Sequence, residues 1–113
     1  MNTTNEPTII DLASLRLALR EFAAARDWDQ FHTPKNLAMA MIVEAAELVE
    51  HFQWATPQES CAPPPEKLAA IRDEVADTLI YLVELADALE IDLIAAARDK
   101  IVKNGIKHPA PAR

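Results

Sequence analysis

The chain has 113 residues, half of them hydrophobic, and a formal net charge of −7. This length fits one domain with a modest core, and the apolar fraction predicts a folded chain rather than a disordered one. An acidic protein gains nothing from counterion release on DNA or RNA, which argues against a nucleic-acid polymer as partner. A small anionic substrate stays open, provided that metal ions or local cations reverse the charge in its site.

Cysteine content and hydropathy give two further expectations. The chain has one cysteine, Cys61, so no internal disulfide forms, and we interpret it as a loop thiol without function. The N-terminus has no apolar signal-peptide core, and no apolar run reaches the ~18 residues of a membrane helix. We therefore expect a cytoplasmic protein with no membrane partner.

The first predicted element is a helix over residues 8–27, after a flexible N-terminus at residues 1–7. Thr8 follows Pro7 and is a plausible N-cap. The apolar residues of this helix recur three and four apart, which predicts one buried stripe. They are Leu12, Leu15, Leu19, Phe22 and Ala23. Residues 27–32 are predicted to be a connection.

The second helix is predicted to begin with Thr33 as N-cap and Pro34 at the first helical position, and to run to about residue 54. Residues 37–43 are apolar on every side of this helix. A helix that is apolar all round is buried all round, which is hard to achieve in so short a chain. We therefore predict a homo-oligomer.

Residues 55–65 hold four prolines and are predicted to form a loop, followed by a third helix over residues 66–89. Its predicted core stripe is Leu68, Ile71, Val75, Leu79, Leu82, Ala86 and Leu89. A fourth helix is predicted from N-cap Asp92 to residue 103, where Asn104 and the single glycine, Gly105, end it. The prediction is an all-α protein of the four-helix-bundle type, one domain over residues 8–108 with a tail at 109–113.

Two acidic motifs carry the chemistry. Glu44-Ala-Ala-Glu47 lies in the second helix and Glu74-Val-Ala-Asp77 in the third. In each motif the acidic residues are three apart, so both carboxylates project from one helix face. Apolar residues flank both pairs, whereas solvated helix faces usually mix acidic and basic residues.

Packing of these two helices as neighbours in a bundle would bring the four carboxylates together. Crowded carboxylates must protonate, spread apart or bind a cation. Oxygen ligands select the hard ions Mg²⁺ or Mn²⁺. The alternative that stays open is that both pairs simply face solvent. A di-iron carboxylate bundle needs Glu-x-x-His at two helices, and this chain has no such motif.

The chain resembles a known family through these two motifs and three further segments. The segments are EFAAARDWDQFHTPKNL, LVEHFQW and DTLIYLVELA. It is similar over residues 8–109 to the MazG-like, all-α nucleoside triphosphate pyrophosphatases, most closely their dCTP pyrophosphatase branch. The resemblance implies that Glu44, Glu47, Glu74 and Asp77 bind Mg²⁺ and form the catalytic centre. It also implies a dimer or tetramer whose sites borrow residues across subunits.

The resemblance further implies a set of nucleotide contacts. They are Trp28, His32, Trp54 and Tyr81 for the nucleoside, and Lys100 and Asn104 for the phosphates. From the residues alone, the tryptophans and Tyr81 could equally be packing residues, His32 a loop histidine, and Lys100 a cation answering the helix dipole. A first-helix histidine of the vertebrate dCTP enzymes is Leu19 here, which leaves base and sugar preference open.

The predicted reaction is in-line attack of water on the triphosphate of a pyrimidine nucleotide or deoxynucleotide, such as dCTP or a modified dCTP, in nucleotide-pool sanitation. A carboxylate would act as general base; which one, and which phosphorus is attacked, stay open. The products would be a nucleoside monophosphate and pyrophosphate. The rival hypotheses are a non-catalytic helical module with a regulatory cation site, and hydrolysis of another phosphoanhydride such as a dinucleotide, dUTP or dUDP.

Overall fold

The computed structural model describes residues 8–112 and confirms an all-α fold, with no strand among those residues. Five α-helices follow one another: α1 (Leu12–Ala25), α2 (Pro34–Glu50), α3 (Pro57–Ser60), α4 (Pro65–Ala88) and α5 (Leu93–Lys107). A short 3-10 turn, Asp29–Phe31, lies between α1 and α2. The predicted flexible segment 1–7 lies outside the described residues. Within residues 8–112, no helix is both long and apolar enough to cross a membrane.

Helix α1 begins later than predicted, because Asp11 rather than Thr8 is its N-cap. The Asp11 carboxylate accepts from the backbone N–H of Ser14, and the Ser14 hydroxyl accepts from the backbone N–H of Asp11. This reciprocal capping box satisfies two N–H groups that the helix itself leaves unpaired. The helix ends at Ala25, and Asp27 then adopts a left-handed backbone conformation with φ of 56°.

Helix α2 begins as predicted, with the Thr33 side chain accepting from the N–H of Asn36 and Pro34 at the first position. It ends at Glu50, about four residues earlier than predicted, and residues 51–54 form turns. The predicted loop that follows contains the short helix α3, capped by reciprocal hydrogen bonds between Thr56 and Glu59. Four residues are too few to show a helical period in the sequence.

Helix α4 matches its predicted bounds to within one residue, and α5 begins at the predicted N-cap, Asp92. The predicted end of α5 at Gly105 is wrong, because the helix continues through it to Lys107. Gly105 has no positive φ, and a Cβ there would meet nothing within 4 Å, so it serves no cap or close contact. Pro109 follows directly and cannot continue the helical hydrogen bonds.

The core lies where α4 packs against α2 and α1. Its buried residues are Ala23, Leu37, Ile71, Val83 and Ala86. The predicted stripe of α4 is therefore only partly buried: Ile71 and Ala86 are in the core, but the other five predicted positions are exposed in the single chain.

The apolar first half of α2 is also largely uncovered, since Met39, Ile42 and Val43 are each more than half exposed. Helix α5 makes few contacts with the other helices, and its Ile101 and Ile106 are 71% and 78% exposed. So many exposed large apolar residues leave much apolar surface in contact with water. One chain alone leaves the helices of this fold only partly covered.

Candidate active site

Three carboxyl groups converge where α2 packs against α4. Glu44 projects from α2, and Glu74 and Asp77 project from one face of α4 because they are three residues apart. One carboxylate oxygen from each of the three lies within 4.8 Å of the others. We call these three residues the carboxylate cluster.

Glu47 lies next to the carboxylate cluster without belonging to it. It follows Glu44 by three residues on α2 and is half-buried. Its negative charge nevertheless raises the pKa of both Glu44 and Glu74. All four predicted acidic residues therefore interact, three of them at ligand distance from a common point.

The electrostatics of the cluster show how crowded its charges are. A hydrogen bond with Glu74, burial and the charge of Glu47 together raise the pKa of Glu44 from 4.5 to about 7. The same hydrogen bond with Glu44 lowers the pKa of Glu74, but burial and the charges of Glu47 and Asp77 outweigh it, so the net shift is upward. Without a cation, a proton shared between Glu44 and Glu74 relieves part of this crowding.

Glu74 also supplies the observation that tests the fit of a metal. Its Oε2 atom is buried, and no residue between 8 and 112 gives it a hydrogen bond. A buried carboxylate oxygen without a donor is costly unless a proton or a cation satisfies it. The ligand set is all oxygen and anionic, which suits a hard divalent ion. The carboxylate cluster can therefore bind a metal ion.

A cavity of about 490 Å³ opens beside the carboxylate cluster, and we call it the aromatic cavity. It has metal-ligand candidates at one part of its wall and aromatic rings at another. Its lining residues are Leu19, Phe22, Ala23, Trp28, His32, Glu44, Asp77, Ile80, Tyr81 and Glu84. Three of the six predicted nucleotide contacts, namely Trp28, His32 and Tyr81, thus share one space with Glu44 and Asp77.

The rings in the aromatic cavity are held by one another. Phe22 and Trp28 meet edge to face, with ring centroids 5.7 Å apart. The Arg26 guanidinium lies over the Phe22 ring, with the central guanidinium carbon 3.4 Å from the ring centroid. Trp28 is still 44% exposed, so a large part of its surface is open to a ligand. A flat ring held in this way provides a stacking surface for a base.

Tyr81 and Glu84 extend the face of α4 that carries Glu74 and Asp77. Tyr81 follows Glu74 by seven residues, and burial with the charges of Glu44, Glu84 and Asp77 raises the pKa of its phenol. It therefore stays a neutral hydroxyl that can donate. Glu84 is half-buried, and its Oε2 lies 3.1 Å from Nδ1 of His32. Burial raises the pKa of Glu84 despite the opposing effect of His32.

The remaining three predicted contacts lie elsewhere in the single chain. Trp54 is 89% exposed and lines a different cavity, of about 420 Å³, with His51 and Lys67. Lys100 and Asn104 are exposed on α5, and neither lines the aromatic cavity. One chain alone therefore does not bring Trp54, Lys100 and Asn104 to the carboxylate cluster.

Sequence reasoning missed Glu84 and Phe22 as lining residues. Helical spacing would have found Glu84, because it follows Tyr81 by three residues and Asp77 by seven and so shares their face. Phe22 was instead expected in the core, but it is 48% exposed and packs on Trp28.

Comparison with known sequences places this site in a family. The sequence model of the MazG-like family matches residues 39–113, a span that includes all four acidic residues. The chain is 44% identical over 106 residues to the dCTP pyrophosphatase 1 of Mus musculus and 44% identical over 107 residues to that of Homo sapiens. These alignments cover 92% and 93% of this chain but 61% of each relative. The chain thus spans about three fifths of the length of these relatives.

A solved structure matches the whole fold. A pyrophosphatase from Archaeoglobus fulgidus DSM 4304 superposes with a TM-score of 0.79 at 39% sequence identity. The match covers 93% of this chain and 98% of that one. The helical arrangement that brings α2 and α4 together therefore occurs in a protein of nearly the same extent.

Proposed function

Because the chain belongs to the MazG-like family, we propose that it is a metal-dependent nucleoside triphosphate pyrophosphohydrolase that acts on dCTP or a similar pyrimidine triphosphate. The observation that carries this proposal is the carboxylate cluster on the wall of the aromatic cavity. A cation site and a base-stacking surface in one space suit a ligand with a phosphate end and an aromatic end. The names of the two relatives and of the solved structure support the same activity.

In this proposal, Glu44, Glu74 and Asp77 hold Mg²⁺, with Mn²⁺ as a substitute, and Glu47 completes the acidic surroundings. When bound, the cation neutralises charge on the phosphoryl oxygens and so stabilises the transition state of phosphoryl transfer. The raised pKa of Glu44 means that its carboxylate must lose its proton before it can act as a ligand. The buried Oε2 of Glu74 receives no hydrogen bond from residues 8–112, which supports its use as a ligand atom.

The protein's own groups position the other reactants. A carboxylate next to the cation accepts a proton from the attacking water, which cleaves the triphosphate into the nucleoside monophosphate and pyrophosphate. Trp28 stacks on the base, and the neutral hydroxyl of Tyr81 donates to the sugar or a phosphate. His32 lines the same cavity and contacts the nucleoside. The role of such an enzyme would be to remove unwanted triphosphates from the cytoplasmic nucleotide pool.

We propose further that the active site is completed in a homo-oligomer. The uncovered apolar residues of α2 and α5, Met39, Ile42, Val43, Ile101 and Ile106, support association, since burying them stabilises an interface. Phosphate leaving groups need cations, and Lys100 and Asn104 lie on the exposed helix α5. A neighbouring subunit's α5 would supply these groups, and its Trp54 would close the nucleoside site.

The experiment that tests the proposed function is a pyrophosphate-release assay over a panel of ribonucleoside and deoxynucleoside triphosphates, with Mg²⁺ and with EDTA. We expect release from dCTP with Mg²⁺, the monophosphate as the second product, and no release with EDTA. A dinucleotide polyphosphate and dUDP test the other phosphoanhydride substrates, with formation of the nucleoside monophosphate as the readout, because dUDP would release phosphate and not pyrophosphate. A chain that hydrolyses none of these compounds is the non-catalytic module instead.

A further inference from the structure

Glu84 is an acidic residue of the aromatic cavity that the proposed metal site does not use. It lies seven residues beyond Asp77 on α4, about 10 Å along the helix axis, so it is well separated from the carboxylate cluster. It nevertheless lines the same cavity as Asp77 and Glu44. An acidic side chain in the binding cavity but away from the cation needs another explanation.

His32 connects Glu84 to the stacking surface. The His32 ring centroid is 6.3 Å from that of Trp28, and its Nδ1 is 3.1 Å from Oε2 of Glu84. Through His32, Glu84 therefore lies beside the ring of Trp28, the stacking surface of the aromatic cavity. The His32 contact lies on Oε2, which leaves Oε1 to accept from a ligand.

We propose that Glu84 determines base specificity by accepting a hydrogen bond from the exocyclic amino group of a cytosine-type base. This inference rests on the proposed function, because it assumes a nucleotide stacked on Trp28. An ionised carboxylate only accepts hydrogen bonds, and it pairs with the amino group of cytosine. Uracil and thymine present a carbonyl oxygen at the same position, which would face the carboxylate acceptor to acceptor.

The expected size of the effect follows from the cost of an unpaired polar group. A site that hydrogen-bonds a substrate group rejects an analogue lacking that group far more strongly than an apolar pocket rejects a change in size. A single well-formed pair between a side chain and a base edge corresponds to about 10-fold or more in discrimination. Because Glu84 is only half-buried, we expect discrimination between the two bases close to about 10-fold.

The test compares two matched substrate pairs, dCTP with dUTP and 5-methyl-dCTP with dTTP. Within each pair the bases differ on one edge only: an amino group against a carbonyl at position 4, and an acceptor against an N–H at N3. We expect wild-type kcat/KM to favour the amino member of both pairs by about 10-fold or more. Glu84→Ala should bring both ratios close to one. Glu84→Gln should also raise kcat/KM for dUTP above that of Glu84→Ala, because a turned amide donates to the carbonyl.

The matched control is Glu66→Gln, which removes an exposed carboxylate from the first turn of the same helix. It should leave both ratios at the wild-type value. If Glu84 merely positions His32, its variants lower kcat/KM equally for both members of each pair, and the inference is overturned. A wild-type protein that hydrolyses both members equally well overturns it too.

A binding measurement separates this inference from the proposed function. Quenching of tryptophan fluorescence by dCMP and dUMP reports occupancy of the stacking surface without any turnover. We expect wild type to bind dCMP more tightly than dUMP by the same factor, and Glu84→Gln to narrow that gap. A chain with this binding preference but no pyrophosphate release would retain the inference and lose the proposed activity. Equal binding of the two monophosphates would refute the inference, whatever the activity.

Discussion

One carboxylate oxygen of Glu44 on α2 lies within 4.8 Å of one of Glu74 on α4, and their interaction, together with burial, raises the pKa of Glu44 to about 7. Two acidic groups from different helices are thus held closer than like charges tolerate. One proton shared between them relieves the repulsion, and a divalent cation would relieve it more completely. The pH, the metal ion and the stability of the helix pair are therefore linked.

The first prediction concerns stability against pH. In the metal-free protein, the pKa of Glu44 is about 7 when folded and 4.5 when unfolded, so the folded state holds its proton more tightly. The contribution of Glu44 to the free energy of unfolding is then fully present below pH 4.5 and is lost as the pH rises through 7. The upward shift of Glu74 acts in the same direction. Thermal melts in EDTA between pH 5 and 8 should show a falling melting temperature.

Mg²⁺ should counteract this loss, because it binds the ionised carboxylates. We expect the increase in melting temperature caused by Mg²⁺ to be larger at pH 8 than at pH 5. The lowered pKa values of Asp11, Glu59 and Asp87 affect stability only below this window. An increase caused by Mg²⁺ that is the same at both pH values would argue against a cation at these carboxylates.

The second prediction concerns Glu44→Gln. Removing this carboxylate takes away a metal ligand, so pyrophosphate release should fall to background. The bundle should melt in EDTA at the wild-type temperature or above it at pH 8, because repulsion with Glu74 is relieved. Glu50→Gln removes an exposed charge from the end of the same helix and should keep activity. A Glu44→Gln protein that melts far below wild type in EDTA would show that the carboxylate is structural.

The third prediction concerns the stacking surface. Trp28→Ala should raise KM for dCTP about 10- to 100-fold, the cost of losing one base–aromatic stack. Trp28→Phe should recover most of this loss. Phe31→Leu removes an exposed aromatic ring from the 3-10 turn that follows Trp28. Phe31 does not line the aromatic cavity, so this change should leave KM unchanged. A Trp28→Ala protein with wild-type KM would exclude stacking there.

The fourth prediction concerns residues shared between subunits. Glu44→Gln and Lys100→Ala should each be inactive as pure proteins. After co-refolding, random exchange in a two-fold dimer should restore about a quarter of wild-type activity, because hybrids then contain one intact site. If each site were built from one chain, the mixture would stay as inactive as its components. Sedimentation should show a mass of at least twice 12.5 kDa.

The sequence was sufficient to predict those features that depend on local spacing. The residue types of Thr33 and Asp92 predicted them as the N-caps of α2 and α5. In the structure their side chains accept hydrogen bonds from N–H groups three residues ahead. The convergence of Glu44 with Glu74 and Asp77 required only helical periodicity and the assumption that consecutive long helices pack together.

Features that depend on what packs against a helix were not predictable from local spacing. The apolar pattern of α4 predicts Val75, Leu79 and Leu82 in the core, yet all three are exposed in one chain. Periodicity shows which face is apolar but not whether that face is covered by the same chain. Gly105 was predicted to end α5 from its residue type, but glycine ends a helix only where the backbone turns left-handed, and here it does not.

The measurement that tests the central claim most directly is Mn²⁺ binding followed by electron paramagnetic resonance, since free Mn²⁺ gives a signal that weakens when the ion binds. Wild type at pH 8 should remove Mn²⁺ from solution, and Glu66→Gln should do so equally. Glu74→Gln should bind at least about 10-fold more weakly, because losing even a group that only orients a metal ligand weakens binding by about 10- to 100-fold. Glu74→Gln binding Mn²⁺ as tightly as wild type would contradict the account, because the cation would then lie somewhere other than between α2 and α4.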